Sequence, residues 1–168
     1  MDANALNYQD MASPVGRLRL IGCGEQLVAI WFEHGRDSRK ADPGLVEASS
    51  PVLERTRQQL EEYFRGERRE FDLPLAPEGT EFQQRVWQSL LGIRYGTTTS
   101  YGALANSLGN PKASRAVGLA NGSNPIPIVI PCHRVIGANG TLTGFGGGLP
   151  VKSALLELES GGRQARLL

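Results

Sequence analysis

The sequence predicts an α+β protein, with a sheet and one helix in its first half and a mainly helical second half. Three patterns support this prediction: two short apolar runs separated by a turn, one amphipathic helical pattern after them, and helical spacing beyond residue 79. The chain is 40% hydrophobic, which is typical of a globular protein. No apolar stretch approaches the roughly 18 to 20 residues that cross a bilayer, so we expect a cytoplasmic protein with no membrane partner.

The first sheet is predicted from the residues that follow "SPVGRL". Two apolar runs, with Leu18 and Leu20 in the first and Leu27 to Phe32 in the second, are separated by "GCGEQ", which indicates a hairpin. A polar, turn-rich stretch over residues 35–50 then predicts an exposed loop.

A helix is predicted next, over "VLERTRQQLEEYFRGE". Its spacing places Leu53, Leu60 and Phe64 on one face, and Gly66 is expected to end it. The segment "FDLPLAPEGTEF" contains two prolines and a glycine, which predicts a domain boundary near Ala76 to Gly79 and hence domains over residues 1–77 and 78–168.

The second half begins with a helix capped by Thr80. Its expected buried residues, at helical spacing, are Phe82, Val86, Trp87 and Leu90. Ser100 is the expected cap of a helix through Leu108, and "GNP" predicts a glycine stop, an asparagine cap and a proline that starts a helix from Lys112 to about Asn121. Two helices joined by a tight turn indicate a helix-turn-helix.

The second helix of this pair has two different predicted faces. The inner face is expected to hold Ala113, Ala116, Val117 and Ala120, and the outer face Ser114, Arg115, Gly118 and Leu119. An outer face with little bulk suits the narrow minor groove better than the reading of base edges in the major groove. An ordinary helical hairpin remains the alternative for this motif taken alone.

The segment "PIVIPCHRV" places reactive groups directly after an apolar run. Residues 126–130 are predicted to form a buried strand that Pro131 ends, which leaves Cys132 at a strand terminus. In an extended segment Cys132 and His133 would point to opposite sides, so we expect a bridging water between them. Because the remaining cysteine, Cys23, is distant in sequence and no paired Cys spacing occurs, we expect reduced thiols and no metal site.

The charge is divided between the two halves of the chain. Residues 1–78 hold 10 Lys/Arg and 14 Asp/Glu, which gives a net charge of −4. Residues 79–168 hold 8 Lys/Arg and 3 Asp/Glu, which gives a net charge of +5. Between Phe82 and Leu156 there are six basic residues and no acidic one. This pattern favours a polyanionic partner for the second half.

"PCHRV", preceded by "RAVGLANGSNPIPIVI" and followed by "IGANGTLTGFGGGLPVKSALLELESG", strongly resembles the O6-alkylguanine-DNA alkyltransferases. The resemblance implies a ribonuclease-H-like N-terminal domain and a C-terminal domain that binds the minor groove of double-stranded DNA and flips out the damaged nucleotide. It also implies irreversible transfer of the alkyl group to cysteine, with no cofactor, by a protein that is monomeric in solution. Cooperative loading on DNA and activity on O4-alkylthymine stay open.

The resemblance also assigns roles to residues of the site. It implies that Cys132 is the nucleophile, that His133 acts as a base through water, and that Glu159 orients His133. Tyr101 would give a proton to the leaving guanine, and Asn124 would brace the turn around the cysteine. From the residues alone, Glu159 is the best acidic candidate but a solvated position is the alternative, Tyr101 could be a packing residue, and Asn124 could belong to an ordinary Asn-Pro turn.

On the DNA side, the resemblance implies that Arg115 intercalates where the nucleotide has left the stack. Further DNA-contact candidates are Lys112, Ala113, Ser114, Gly118 and Arg134, with Lys152 either a phosphate contact or structural. The base pocket would contain Val135, Phe145, Gly146 and Gly147. Phe145 stands where many relatives have tyrosine, and Gly146 where the human-type enzymes have serine, so the substrate range is open.

Two other functions fit parts of the sequence. One is a protein of the same fold that binds lesions without transfer, against which the presence of Cys132 and His133 argues. The other is a cysteine hydrolase, in which water releases an acyl intermediate from the cysteine.

Overall fold

The computed structural model describes residues 5–34 and 44–161 and confirms the α+β class. The chain divides into two compact units between Glu78 and Gly79. No helix in these two described ranges is long and apolar enough to cross a membrane.

The first unit contains a four-stranded sheet. Its strands are β1 (Leu6–Met11), β2 (Leu18–Cys23), β3 (Gln26–Phe32) and β4 (Val46–Glu47), in the order β3-β2-β1-β4. The predicted hairpin is confirmed, because β2 and β3 pair antiparallel. The sequence prediction missed β1, which is largely polar and only partly buried, and β4, which is too short to show a period. Within the predicted loop over 35–50, positions 35–43 lie outside the described residues.

Helix α1 (Pro51–Phe64) begins one residue before the predicted start and ends before Gly66 as predicted. The Ser50 side chain caps its first turn, and Leu53 and Leu60 are fully buried, although Phe64 is only half-buried. Gly66 ends the helix in the left-handed region, with φ of 76°. Its N–H donates to the Tyr63 carbonyl, which satisfies one of the carbonyls left open at the helix end.

The second unit begins with helix α2 (Glu81–Leu90). Thr80 and Gln83 form a reciprocal capping box at its start, which confirms the predicted cap. Val86, Trp87 and Leu90 are buried as predicted, whereas Phe82 is half-buried. The other elements of this unit are β5 (Thr99–Ser100), α3 (Tyr101–Ser107), α4 (Ser114–Gly122), β6 (Val135–Ile136) and α5 (Leu149–Glu159).

Helix α3 is capped by Ser100 as predicted, but α4 starts two residues later than predicted. Asn110 and Pro111 open a turn in which the Ala113 N–H donates to the Asn110 carbonyl at 3.0 Å. Asparagine at the first position and proline at the second are also the residues that a type I turn prefers, so the same "NP" pair serves a turn instead of a helix start. No side chain caps α4.

The buried face of α4 consists of Val117, Ala120 and Asn121. The predicted inner face was therefore wrong at Ala116, which is exposed, and at Ala113, which is half-buried. The Trp87 indole N–H donates to the Ala120 carbonyl at 2.8 Å and ties α2 to the end of α4. An alanine contributes little to an apolar period, so the sequence did not distinguish these positions.

The predicted strand over residues 126–130 was wrong. These residues are all buried, but they form a tight turn in which the Ile130 N–H donates to the Ile126 carbonyl at 2.9 Å. Ile128 adopts a φ of 74°, which is rare for a β-branched residue. The flanking prolines supply no N–H to a ladder, and this favours a turn over a paired strand.

Candidate active site in the second unit

Two very short strands position the elements of the candidate site. Strands β5 and β6 pair in parallel, with Thr99 opposite Val135 and Ser100 opposite Ile136. Strand β5 leads directly into α3, whose first residue is Tyr101, and β6 follows directly after Cys132 to Arg134. The pairing thus ties the start of α3 to the segment that contains the cysteine.

Cys132 lies in a single 3-10 turn formed by Cys132–Arg134, not at the end of a strand. The residue is 5% exposed. Its N–H donates to the Ile130 carbonyl at 2.8 Å, and its carbonyl accepts from the Asn121 side chain at 3.3 Å. The thiol is therefore presented on a backbone that is fixed on both sides.

His133, Arg134 and Glu159 form one buried hydrogen-bonded cluster. His133 Nε2 lies 2.7 Å from Glu159 Oε2, and both side chains are almost completely buried. Arg134 Nε donates to Glu159 Oε1 at 2.7 Å, and Nη2 donates to Oε2 at 2.9 Å. The last residue of α5 is thus placed against the residue that follows the cysteine, so Glu159 is not a solvated surface residue.

The protonation of His133 follows from its surroundings. Burial lowers the pKa of His133, and it outweighs the opposing effect of Glu159. A neutral imidazole next to the Glu159 carboxylate donates its Nε2 proton, which leaves Nδ1 as an acceptor. Nδ1 is buried and has no hydrogen-bond partner within residues 5–34 and 44–161. His133 therefore retains one basic nitrogen for a proton.

Arg134 does not fit the predicted role of a DNA contact. Its guanidinium donates two hydrogen bonds to the Glu159 carboxylate, through Nε and Nη2. Nη1 donates a third hydrogen bond to the Ile93 carbonyl at 2.7 Å. The residue is 6% exposed. Burial of a cation requires a paired anion, and here Glu159 supplies it, so Arg134 is a structural part of the cluster.

Lys152 is also structural. It lies on the buried face of α5 together with Leu155 and Glu159. Its Nζ donates to the Val135 carbonyl at 2.7 Å and to the Thr143 carbonyl at 3.1 Å, and burial lowers its pKa. These contacts leave the ammonium group inside the protein, where it joins β6 to the segment before α5.

Tyr101 is half-buried at the start of α3. Its hydroxyl lies 2.5 Å from the Thr143 hydroxyl. A Cβ at Gly118 would lie 3.6 Å from the Tyr101 ring, so α4 passes close to this side chain. The contact between Thr143 and Tyr101 was not predicted from the sequence, because the two residues are 42 positions apart.

Asn124 and Asn121 brace the turn before the cysteine. Asn124 Nδ2 donates to the Ile130 carbonyl at 2.8 Å, and Asn124 Oδ1 accepts from the Ile126 N–H at 2.9 Å. This geometry matches the bracing role that the resemblance implied for Asn124. The bracing contact of Asn121 was not predicted from the sequence. Asn121 lies four positions after Val117 and therefore on the same, buried face of the helix, and a polar residue on that face was a detectable signal of such a role.

The predicted DNA-contact residues, apart from Arg134, lie on or next to α4. Lys112 and Arg115 are exposed, and Ala113, Ser114 and Gly118 are half-buried. Leu119 on the same helix is 70% exposed. Among the predicted pocket residues, Val135 is fully buried, Phe145 and Gly147 are half-buried, and Gly146 is exposed.

Family models match both units of the chain. The 6-O-methylguanine DNA methyltransferase ribonuclease-like domain matches residues 6–77, and the DNA binding domain of the same family matches residues 81–161. The first match agrees with the ribonuclease-like fold that the resemblance implied.

Individual relatives are similar over nearly the whole chain. A methylated-DNA–protein-cysteine methyltransferase of Methanosarcina acetivorans is 52% identical over 90% of this chain and 97% of its own length. A protein of the same description from Haemophilus influenzae is 50% identical over 92% of this chain and 87% of its own length. The crystal structure of Mycobacterium tuberculosis OGT in complex with DNA is similar with a TM-score of 0.86 and 47% identity, covering 93% of this chain and 94% of that one.

Proposed function

Since the chain belongs to the 6-O-methylguanine DNA methyltransferase family, we propose that Cys132 receives the alkyl group of O6-alkylguanine in DNA, irreversibly and once per protein. The contact that supports this assignment most directly is the 2.7 Å hydrogen bond between Glu159 and the histidine that follows the cysteine. It leaves a buried, unprotonated His133 Nδ1 as the acceptor for the thiol proton.

The chemistry requires a thiolate as the nucleophile. Attack on a saturated carbon needs a strong nucleophile, and a thiolate is far stronger than a thiol. His133 takes the Cys132 proton, directly or through one water, and Glu159 holds the imidazole in the tautomer that can accept it. Arg134 fixes the Glu159 carboxylate from its other side.

The leaving guanine must gain a proton as the bond to the alkyl carbon breaks. A carbon–sulfur bond forms, the bonding pair stays on the guanine oxygen and ring, and Tyr101 donates its hydroxyl proton to a ring nitrogen. The thiol proton passes to His133 and on to solvent, guanine gains the Tyr101 proton, and Tyr101 regains a proton from solvent, so the overall reaction is balanced. The product thioether is a stable bond, so the protein is consumed.

DNA approaches α4 in this proposal. Arg115 is exposed on that helix and enters the space left by the flipped nucleotide, and Lys112 contacts phosphate. Ala113, Ser114 and Gly118 are small enough to let the helix backbone approach the minor groove closely. The proposed setting is the cytoplasm, with a monomer acting on double-stranded DNA.

The flipped base enters a pocket near Val135 and the glycine-rich segment before α5. Phe145, Gly146 and Gly147 form its proposed wall, and the Gly148 N–H donates to the Phe145 carbonyl at 2.9 Å, which fixes the turn there. Phe145 and Gly146 carry no side-chain hydroxyl, so backbone N–H groups would hold the alkylated oxygen. Asn124 keeps the turn before Cys132 in position.

Incubation with duplex DNA that contains labelled O6-methylguanine tests the assignment. We expect one label per protein, located on Cys132 by mass spectrometry, and no turnover. Cys132→Ser should bind DNA without taking up label, whereas Cys23→Ser, which changes the remaining cysteine, should react normally. Transfer by Cys132→Ser would refute the nucleophile.

The same assay separates the two other functions. Release of label into solvent by repeated turnover indicates a hydrolase. Tight binding of the lesion without uptake of label indicates a binding module.

Arg115 is tested by comparing duplex DNA with free O6-alkylguanine. Arg115→Ala should slow transfer from duplex more than transfer from the free base, because the free base needs no flipping. Arg94→Ala, which changes another exposed arginine of the same unit, is the matched control. Equal losses on both substrates would contradict the flipping role.

A further inference from the structure

Thr143 makes two contacts that connect separate parts of the candidate site. Its hydroxyl lies 2.5 Å from the Tyr101 hydroxyl, and its carbonyl accepts from Lys152 Nζ at 3.1 Å. Lys152 also donates to the Val135 carbonyl at 2.7 Å. Lys152 therefore fixes the backbone of Thr143, while the Thr143 side chain forms a hydrogen bond with the Tyr101 hydroxyl.

The Tyr101 hydroxyl has a single proton to give. A hydroxyl can donate one hydrogen bond and accept two, so the contact between Tyr101 and Thr143 can use the proton of either residue. When Thr143 is the donor, the Tyr101 proton remains available to a base in the pocket. The Tyr101 oxygen also keeps a hydrogen-bond donor as negative charge develops on it.

We propose that Thr143 is a positioning residue for the proton donor: its hydroxyl donates to the Tyr101 oxygen, aims the Tyr101 proton at the ring nitrogen of the leaving guanine, and stabilises the phenolate left after transfer. This inference rests on the proposed role of Tyr101. The proton passes from Tyr101 to guanine, the Thr143 proton stays on Thr143, and solvent reprotonates the phenolate.

Lys152 gives this arrangement its rigidity. Thr143 is followed by a segment with glycines at positions 144, 146, 147 and 148, which have no side chains to anchor the backbone. The buried ammonium of Lys152 fixes the Thr143 carbonyl relative to Val135, on the strand that follows the cysteine turn. The Thr143 hydroxyl is thereby kept at the tyrosine.

Single-turnover transfer from methylated duplex DNA tests the proposal. Thr143→Val keeps the shape of the side chain but removes the hydroxyl, and we expect transfer to slow by about tenfold, the effect of one lost hydrogen bond of about 1 to 1.5 kcal/mol. Thr143→Ser restores the hydroxyl and should restore most of the rate. Thr141→Val, on the same loop but outside the contact with Tyr101, is the matched control.

A double-mutant cycle separates positioning from a general effect on the loop. In a Tyr101→Phe background, Thr143→Val should cause no further loss, because no phenol remains to be positioned. The loss caused by Thr143→Val should also shrink on a deaza lesion in which carbon replaces the ring nitrogen that accepts the proton. A folding defect would slow transfer equally on both lesions and in both backgrounds.

The outcomes distinguish this inference from the role of Tyr101 on which it rests. If Tyr101→Phe slows transfer but Thr143→Val has no effect, or has the same effect in both backgrounds, the positioning role of Thr143 is overturned and Tyr101 stands. If Tyr101→Phe transfers at the wild-type rate, the proton-donor assignment fails and the positioning role fails with it.

Discussion

Glu159 joins the two residues that follow the cysteine. Its two carboxylate oxygens accept one hydrogen bond from His133 and two from Arg134, all within a buried cluster. The cost of removing one partner from such a cluster is set by the charge left behind, and here that charge is the buried Arg134 guanidinium.

Glu159→Gln should therefore impair both stability and transfer. We expect the free energy of unfolding to fall by about 3 to 5 kcal/mol, since Arg134 loses its anion, and transfer to slow because His133 loses its orientation. Denaturant unfolding and the labelled-DNA assay measure the two effects. Glu157→Gln, an exposed position on the same helix, should change neither, and a similar loss in both variants would contradict the buried cluster.

The pKa of His133 has a consequence for stability at low pH. An unfolded histidine titrates near pH 6.5, whereas burial lowers the pKa of folded His133 below that value. Below about pH 6.5 the unfolded chain then binds a proton that the folded protein does not. The free energy of unfolding should therefore fall as pH falls from 7 towards 5, by up to about 1.4 kcal/mol per pH unit from this residue.

Urea unfolding at a series of pH values checks this effect. His133→Gln should show a smaller decline below pH 6.5 than the wild type, whereas His34→Gln, which changes an exposed histidine, should keep the wild-type decline. An equal pH slope in the wild type and His133→Gln would contradict the burial of a neutral imidazole.

The reactive residues, and Glu159 as the partner of His133, could be predicted from the sequence, but the charge state of His133 and the partners of Arg134 could not. Cys132 and His133 stand in one short motif, whereas the position of Arg134 depends on Glu159, 25 residues further along the chain. An arginine in a basic segment is usually exposed, and only the folded structure shows the carboxylate that makes its burial possible. For the same reason, the contact between Thr143 and Tyr101 was not predictable.

At the scale of elements, the caps of α2 and α3 were predicted correctly, whereas the asparagine cap of α4 and the conformation of the proline-rich segment were not. Thr80 and Ser100 cap their helices through local hydrogen bonds that a few residues determine. The turn over residues 126–130 instead depends on Asn124 and on burial from all sides. Its apolar β-branched residues correctly predicted burial, but they also favour strands, which is why the conformation was wrong.

The glycine in the middle of α4 gives a prediction about this helix. A Cβ at Gly118 would meet the Tyr101 ring at 3.6 Å, an ordinary contact distance, so Gly118→Ala should stabilise the protein by about 0.5 to 1 kcal/mol through lower chain entropy in the unfolded state. Thermal unfolding measures the change. Gly79→Ala is the contrasting variant, because its Cβ would lie 2.3 Å from the buried Trp87 ring and should destabilise. A destabilised Gly118→Ala would mean that α4 and Tyr101 pack more tightly than the structure shows.

At the scale of the whole molecule, the division of charge between the halves is only partly a surface property. Of the six basic residues between Phe82 and Leu156, Arg134 and Lys152 are buried and engaged inside the protein, so they cannot contact phosphate. The four exposed ones are Arg85, Arg94, Lys112 and Arg115. The sequence therefore predicted the sign of the charge on the second unit but overestimated how much of it faces solvent, because a residue count contains no information on burial.

The dependence of DNA binding on salt tests which of these charges reach the polyanion. Each neutralised phosphate contributes about 0.9 to the slope of the logarithm of the binding constant against the logarithm of salt concentration, since a condensed counterion is released. Lys112→Gln should reduce the magnitude of that slope by about one, as measured by titration of a fluorescent duplex at several salt concentrations. Arg57→Gln removes a positive charge from the first unit, where Arg57 pairs with Glu61, and should leave the slope unchanged. Equal reductions in both variants would mean that the overall charge, and not the surface around α4, controls the encounter with DNA.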